Sequence, residues 1–153
     1  MNNTLPVDNH VNVAALSQLF NNVSTSYKLL FFKAILNIFK SSDITKPLHI
    51  SFDDLTVEML ASCWYPQQFF HLSFGIQDQT KHFLDKLDFD INKIVVTNPK
   101  TYTSLRSTIK EQLSHINALE LLNYVPYRLL SPFFADELKG KKEKAKNNLI
   151  EQL

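Results

Sequence analysis

The stretch YKLLFFKAILNIFK, residues 27–40, sets the fold class. Tyr27, Leu30, Phe31, Ala34, Ile35, Ile38 and Phe39 recur at i, i+3, i+4 and i+7, while Lys28, Lys33 and Lys40 fall outside that set. Side chains three and four apart share one face of a helix, so this period predicts an amphipathic helix, with Ser24 or Thr25 as its N-cap. Leu29 and Phe32 widen the apolar face and predict a central position with neighbours on two sides. The run is the most apolar in the chain, but Lys33 interrupts it, and it falls short of the roughly 20 apolar residues a bilayer crossing needs.

Working outward, residues 12–22 place Val13, Leu16, Leu19 and Phe20 at helical spacing and predict a short first helix ending at Asn21 and Asn22. After the linker SSDITKP, the alternating PLHISF (47–52) reads as a short strand. Ser51 and Asp54 form a capping box for a helix to about Trp64, with Leu55, Met59, Leu60 and Cys63 inward, stopped by Pro66. YPQQFFHLSFG reads as an aromatic loop closed by Gly75, followed by a helix over 76–87 using Ile76, Phe83, Leu84 and Leu87. Ile94, Val95 and Val96 favour strand; Asn98 and Pro99 then open a helix to about Leu113. A further helical patch covers 116–124, and YVPYRLLSPFF is too apolar for a solvent loop, so it belongs in the core or against a partner. The expected fold is all-α or mainly α: a compact bundle of about five to seven helices with at most two short strands. One domain spans 1–153, its lysine-rich C-terminal helix over 136–153 leading toward a missing C-terminal module.

Composition narrows the function. At 44% hydrophobic and 20% charged, a chain of 153 residues buries a core unaided, which argues against disorder. One cysteine, Cys63, rules out an internal disulfide and a Cys-pair zinc site, and its place beside Trp64 predicts burial. Two glycines, Gly75 and Gly140, rule out the loops GxGxxG and GxxxxGK[ST], which need several residues free to take positive φ. The first ten residues lack the basic and apolar regions of a secretory signal, and a cytoplasmic location follows by elimination. Residues 1–98 hold seven Lys/Arg against nine Asp/Glu, and residues 99–153 nine against six. The basic excess is thus C-terminal, densest at Lys139, Lys141, Lys142, Lys144 and Lys146.

No catalytic site is recognisable. No two of the five histidines are three or four residues apart. Asp78 with His82 and Glu111 with His115 are four apart, a spacing more typical of surface hydrogen bonds than of metal ligation. Asp53, Asp54 and Glu58 cluster at a helix start, where the helix dipole favours acids. Glu137-Leu138-Lys139 matches half of the PD-(D/E)xK nuclease pattern, but that motif lies on a core strand with an upstream acid. Here the tripeptide opens a polar helix.

Four strings in one order carry a resemblance: LSQLFNNVSTSYKLLFFKAIL (16–36), ISFDDLTVEMLASCWYP (50–66), FFHLSFGIQDQ (69–79) and LLNYVPYRLLSPFF (121–134). They resemble the N-terminal region of bacterial HNH endonuclease family proteins, across roughly residues 16–152. In that family this helical portion precedes a C-terminal nuclease module holding the general-base histidine, a bracing asparagine and a metal-ligand histidine. No histidine here has that context, so the resemblance carries over no catalytic residue, metal ligand or cofactor. Trp64, Tyr65, Pro66, Phe74, Gly75, Tyr127 and Arg128 have a packing role open to them independently of activity.

The implied function is a non-catalytic module that positions the nuclease on DNA; the alternative is a protein–protein interaction or oligomerisation module. The expected partners are DNA, a C-terminal HNH module or a second copy of the chain, with no membrane. For nucleic acid the candidate residues are Arg128, Lys139, Lys141, Lys142, Lys144 and Lys146; for interaction they are Tyr127, Phe133 and Phe134. Arg128, set in an apolar run, either pairs with a carboxylate or reaches a phosphate or partner.

Overall fold

The computed structural model describes residues 12–21, 23, 26–43, 45–75, 78–88 and 99–152. They are mainly helical, and no strand occurs among them. In chain order the helices are α1 (Val13–Gln18), α2 (Tyr27–Ser41), α3 (Phe52–Trp64), α4 (Thr80–Leu84) and α5 (Pro99–Gln112). Then come α6 (Val125–Leu130), α7 (Ala135–Leu138) and α8 (Glu143–Ile150). The residues gather in two compact units, Thr25–Asn123 and Met1–Ser24 with Tyr124–Leu153.

In the first of these units the central helix is α3. It packs against α2, α4, α5 and the turns Tyr65–Phe69 and Ala118–Leu122, and it buries every residue from Leu55 to Ala61, then Cys63 and Trp64. A helix buried on all sides cannot carry a polar stripe. LTVEMLASCW meets that condition except at Glu58, whose charge is matched by Arg106. The central position expected for α2 is therefore corrected: α2 buries Leu30, Phe31, Ala34 and Ile38, but Leu29 and Phe39 are each 50% exposed.

The capping box forms at the start of α3. Ser51 Oγ accepts from Asp54 N (3.0 Å) and donates to Asp54 Oδ2 (2.7 Å). That bond, and then the Lys110 ammonium, hold the Asp54 carboxyl below its ordinary range. A depressed carboxyl contributes stability above its unfolded pKa of about 4 and loses it as pH falls through the folded value. Ser51→Ala is accordingly expected to cost about 1 kcal/mol at neutral pH and less in acid. Urea melts at the two pH values check this, and an equal loss at both would separate the cap from the titration.

α3 ends at Trp64, as expected ahead of Pro66, but the chain goes on coiling in a wider turn. Residues Tyr65–Phe69 form a π turn in which Phe70 N donates to Tyr65 O at 3.4 Å. Lacking an N–H, proline cannot extend the α ladder, and the wider turn absorbs it. PLHISF forms no strand: residues 47–51 run as exposed single coil, with no partner strand among the described residues to complete a ladder. The strand expected at Ile94–Val96 and the Asn98 cap lie outside the described residues. The helix expected over 76–87 shortens to α4, since Asp78 accepts from Thr80 N at 2.8 Å and fixes a turn just before it. Phe83 and Leu84 are buried as expected. The patch at 116–124 is a 3-10 turn, Ala118–Leu122, entered through Asn117 at φ +55°.

In the other unit, Asn12 caps α1 by accepting from Ala15 N at 2.9 Å, and α1 buries Ala15, followed by buried Leu19; Phe20 stays exposed. Pro126 and Pro132 sit in the first turns of α6 and of the 3-10 turn Ser131–Phe134, where a missing N–H leaves no bond broken. The 3-10 turn packs on α1, α6 and α7, and α6 packs on α8. One helix over 136–153 is replaced by two, because Gly140 takes φ +74° and closes α7 in the left-handed region that glycine enters without a Cβ clash.

Candidate functional site

The lysine segment straddles that break. Lys139, Lys141 and Lys142 lie on the connector and Lys144 in the first turn of α8, all exposed and without an acid partner among the described residues. Lys146 is half-buried and pairs with Glu143 at 3.2 Å. Glu137-Leu138-Lys139 ends α7 instead of opening a polar helix, with Leu138 buried.

Among the described residues Arg128 pairs with no carboxylate. Its guanidinium lies over the Tyr124 ring, 5.7 Å from the centroid, and the side chain is exposed. Stacking occupies the flat face and leaves the in-plane N–H donors open. Tyr127 donates its hydroxyl to Glu151 Oε1, tying α6 to the end of α8, and this carboxylate raises the phenol's pKa. The structure thus brings Arg128 and Lys144 onto neighbouring helices of one unit. Phe133 and Phe134 are half-buried, not core residues: their turn is covered by α1, α6 and α7 but no element encloses it. The core of that apolar run is Val125, Pro126 and Leu129.

Cys63 is fully buried as expected. Burial pushes its thiol up to about 12, with the Asp78 carboxylate adding to the rise, so at neutral pH it is not a thiolate. Asp78 turns to Ser26 and Thr80, not to His82, and His49, His71, His82 and His115 are exposed. No three His, Cys, Asp or Glu side chains gather as a metal-binding group among the described residues.

A second polar constellation escaped the sequence reading. In the unit built on α3, Glu58 is 3% exposed, and Arg106 Nε approaches its Oε1 to 2.6 Å. The approach is off the N–H axis, so it is a charge contact and not a linear hydrogen bond. Tyr102 donates to Glu58 Oε2 at 2.9 Å, and Asn37 Nδ2 reaches the same oxygen at 3.4 Å. Burial first, and then the Glu58 charge, push the Tyr102 phenol up to about 12, keeping it a donor at neutral pH. Two members of the constellation, Asn37 and Tyr102, also line a cleft of about 370 Å³ where α2, the end of α3 and the start of α5 converge. Lys33, Ser62, Trp64, Tyr65 and Tyr102 are among its lining residues. The one signal in the sequence was Glu58 itself, a charge amid LTVEMLASCW; its partners lie 44 and 48 positions away and no local spacing reveals them.

Compared with protein-family models, curated proteins and solved structures, the chain matches none. Among the described residues no helix is long and apolar enough to cross a membrane.

Proposed function

We propose that this chain is a non-catalytic helical module that contacts nucleic-acid phosphates, acting as the N-terminal region of an HNH endonuclease family protein does when it positions its nuclease on DNA. The family part of the reading rests on the four ordered strings alone. The observation that supports phosphate contact is the cationic connector: Lys139, Lys141, Lys142 and Lys144 stand exposed with no acid partner among the described residues, and Arg128 keeps its edge donors open on the adjoining helix. Such cations neutralise phosphates and release counterions, giving a binding strength that falls steeply with salt.

The test is a titration against labelled duplex DNA, using the wild-type chain and a variant with glutamate at Lys139, Lys141, Lys142, Lys144 and Lys146. If about four phosphates are engaged, wild-type affinity drops about 100-fold between about 50 and about 200 mM salt, and the variant binds only weakly at either. Equal affinity in the two proteins rejects the reading. If the chain is also dimeric by mass, that result turns the assignment to the interaction module, which the exposed cluster of Phe69, Phe70 and Leu72 favours.

A further inference from the structure

We infer that the cleft between α2, α3 and α5 is a binding site for a small planar molecule carrying an anionic group, a ring-bearing carboxylate or phosphate. Its volume of about 370 Å³ lies in the lower part of the range of small-molecule sites, roughly 300 to 1,000 Å³. The walls explain the planar part. Tyr65, Trp64 and Tyr102 border the space, and aromatic walls favour a flat ring over a branched aliphatic.

The charge balance explains the anion. Glu58 is already matched by Arg106 and holds the Tyr102 hydroxyl, which leaves Lys33 as the uncompensated charge of the cleft. Lys33 has no acid partner among the described residues, and its side chain is exposed, so a ligand anion reaches it without breaking an existing pair. Glu58 meanwhile holds the Tyr102 hydroxyl at 2.9 Å, so the wall is set before a ligand arrives.

Ser62 adds an independent sign. Hydroxyls in this fold turn back along their helices: Thr56 donates to Phe52 O at 2.8 Å and Ser131 to Tyr127 O at 2.7 Å. Ser62 makes no such bond. Its Oγ lies near enough to Tyr102 to lower that phenol's pKa, yet it is buried with no partner in hydrogen-bonding geometry among the described residues. Rotation about χ1 between staggered wells carries the hydroxyl toward the cleft it borders. A buried hydroxyl left unsatisfied costs stability, and a ligand group that bonds to it recovers that cost.

The cleft contains its own reporter, because Trp64 is the chain's single tryptophan. The 153-residue chain is titrated with adenosine 5′-monophosphate, with benzoate, and with adenosine and inorganic phosphate as half-ligands, each emission corrected for ligand absorbance against free tryptophan. Saturable change in Trp64 emission with the first or the second probe is expected, and which of them acts names the anion as phosphate or carboxylate. The half-ligands are expected to bind at least tenfold more weakly. Lys33→Met is expected to weaken the acting probe about tenfold or more, as loss of a charge-assisted contact does. Ser62→Ala separates site from scaffold: it is expected to melt no lower than wild type while binding several-fold more weakly. No saturable change with either probe, adenosine binding as tightly as its monophosphate, or unaltered affinity in Lys33→Met would each overturn the inference.

Discussion

Arg106→Leu is expected to lower the unfolding free energy by about 3 kcal/mol, one of the largest losses available to a half-exposed residue in this chain. The cause is what it leaves behind. Glu58 is 3% exposed on an enclosed helix, and without the guanidinium its carboxylate retains the Tyr102 hydroxyl and a long contact to Asn37. An unpaired buried charge is far costlier than an absent pair. Glu58→Gln is expected to cost less, since Arg106 has 39% of its side chain exposed and can hydrate, while the amide oxygen still accepts from Tyr102. Combining the two substitutions removes both charges and should recover more than half of the Arg106→Leu loss. Denaturant melts of the three variants check this order; additive losses would mean that the pair is not coupled.

Leu60→Ala should cost about 2 to 5 kcal/mol, whereas Phe39→Ala should cost less than about 1 kcal/mol despite deleting the larger side chain. Leu60 is 0% exposed on α3 and its removal opens a cavity walled by other helices; Phe39 is 50% exposed on α2 and leaves mainly a solvent-filled hollow. Thermal melts of both variants decide whether α3 or α2 is the centre. A larger loss from Phe39→Ala would return α2 to the place its sequence suggested.

That contrast marks how far the sequence was legible. The helical period of YKLLFFKAILNIFK identified a helix and the face that Leu30, Phe31, Ala34 and Ile38 bury, because periodicity is local. It misjudged rank, because an amphipathic pattern stands out most in a helix that is covered on one side. The enclosed α3 has little pattern to see, its apolar residues falling all round. Ser51 with Asp54 and Pro99 at a helix start were legible for the same local reason. The stop at Gly140 was missed: glycine just past a helix end ends it, yet the lysine-rich run was expected as one helix across that position. The cleft was not legible, since Lys33, Ser62 and Tyr102 come from three helices and meet only in the packed unit.

The π turn at Tyr65–Phe69 shifts the angular phase of the chain. In an α-helix each residue advances about 100° around the axis, so one residue more than α register allows puts everything beyond it about 100° out of step. Had α3 continued in phase, the positions four and seven beyond Cys63, Gln67 and Phe70, would have shared its buried face. Across the wider turn Gln67 keeps the inward place, its Nε2 donating to Thr80 Oγ1 at 2.5 Å, but Phe70 leaves that face, and Phe69 and Phe70 emerge 56% and 57% exposed with Tyr65 against both rings. A buried amide and an outward aromatic pair are thus two sides of a single turn at Pro66.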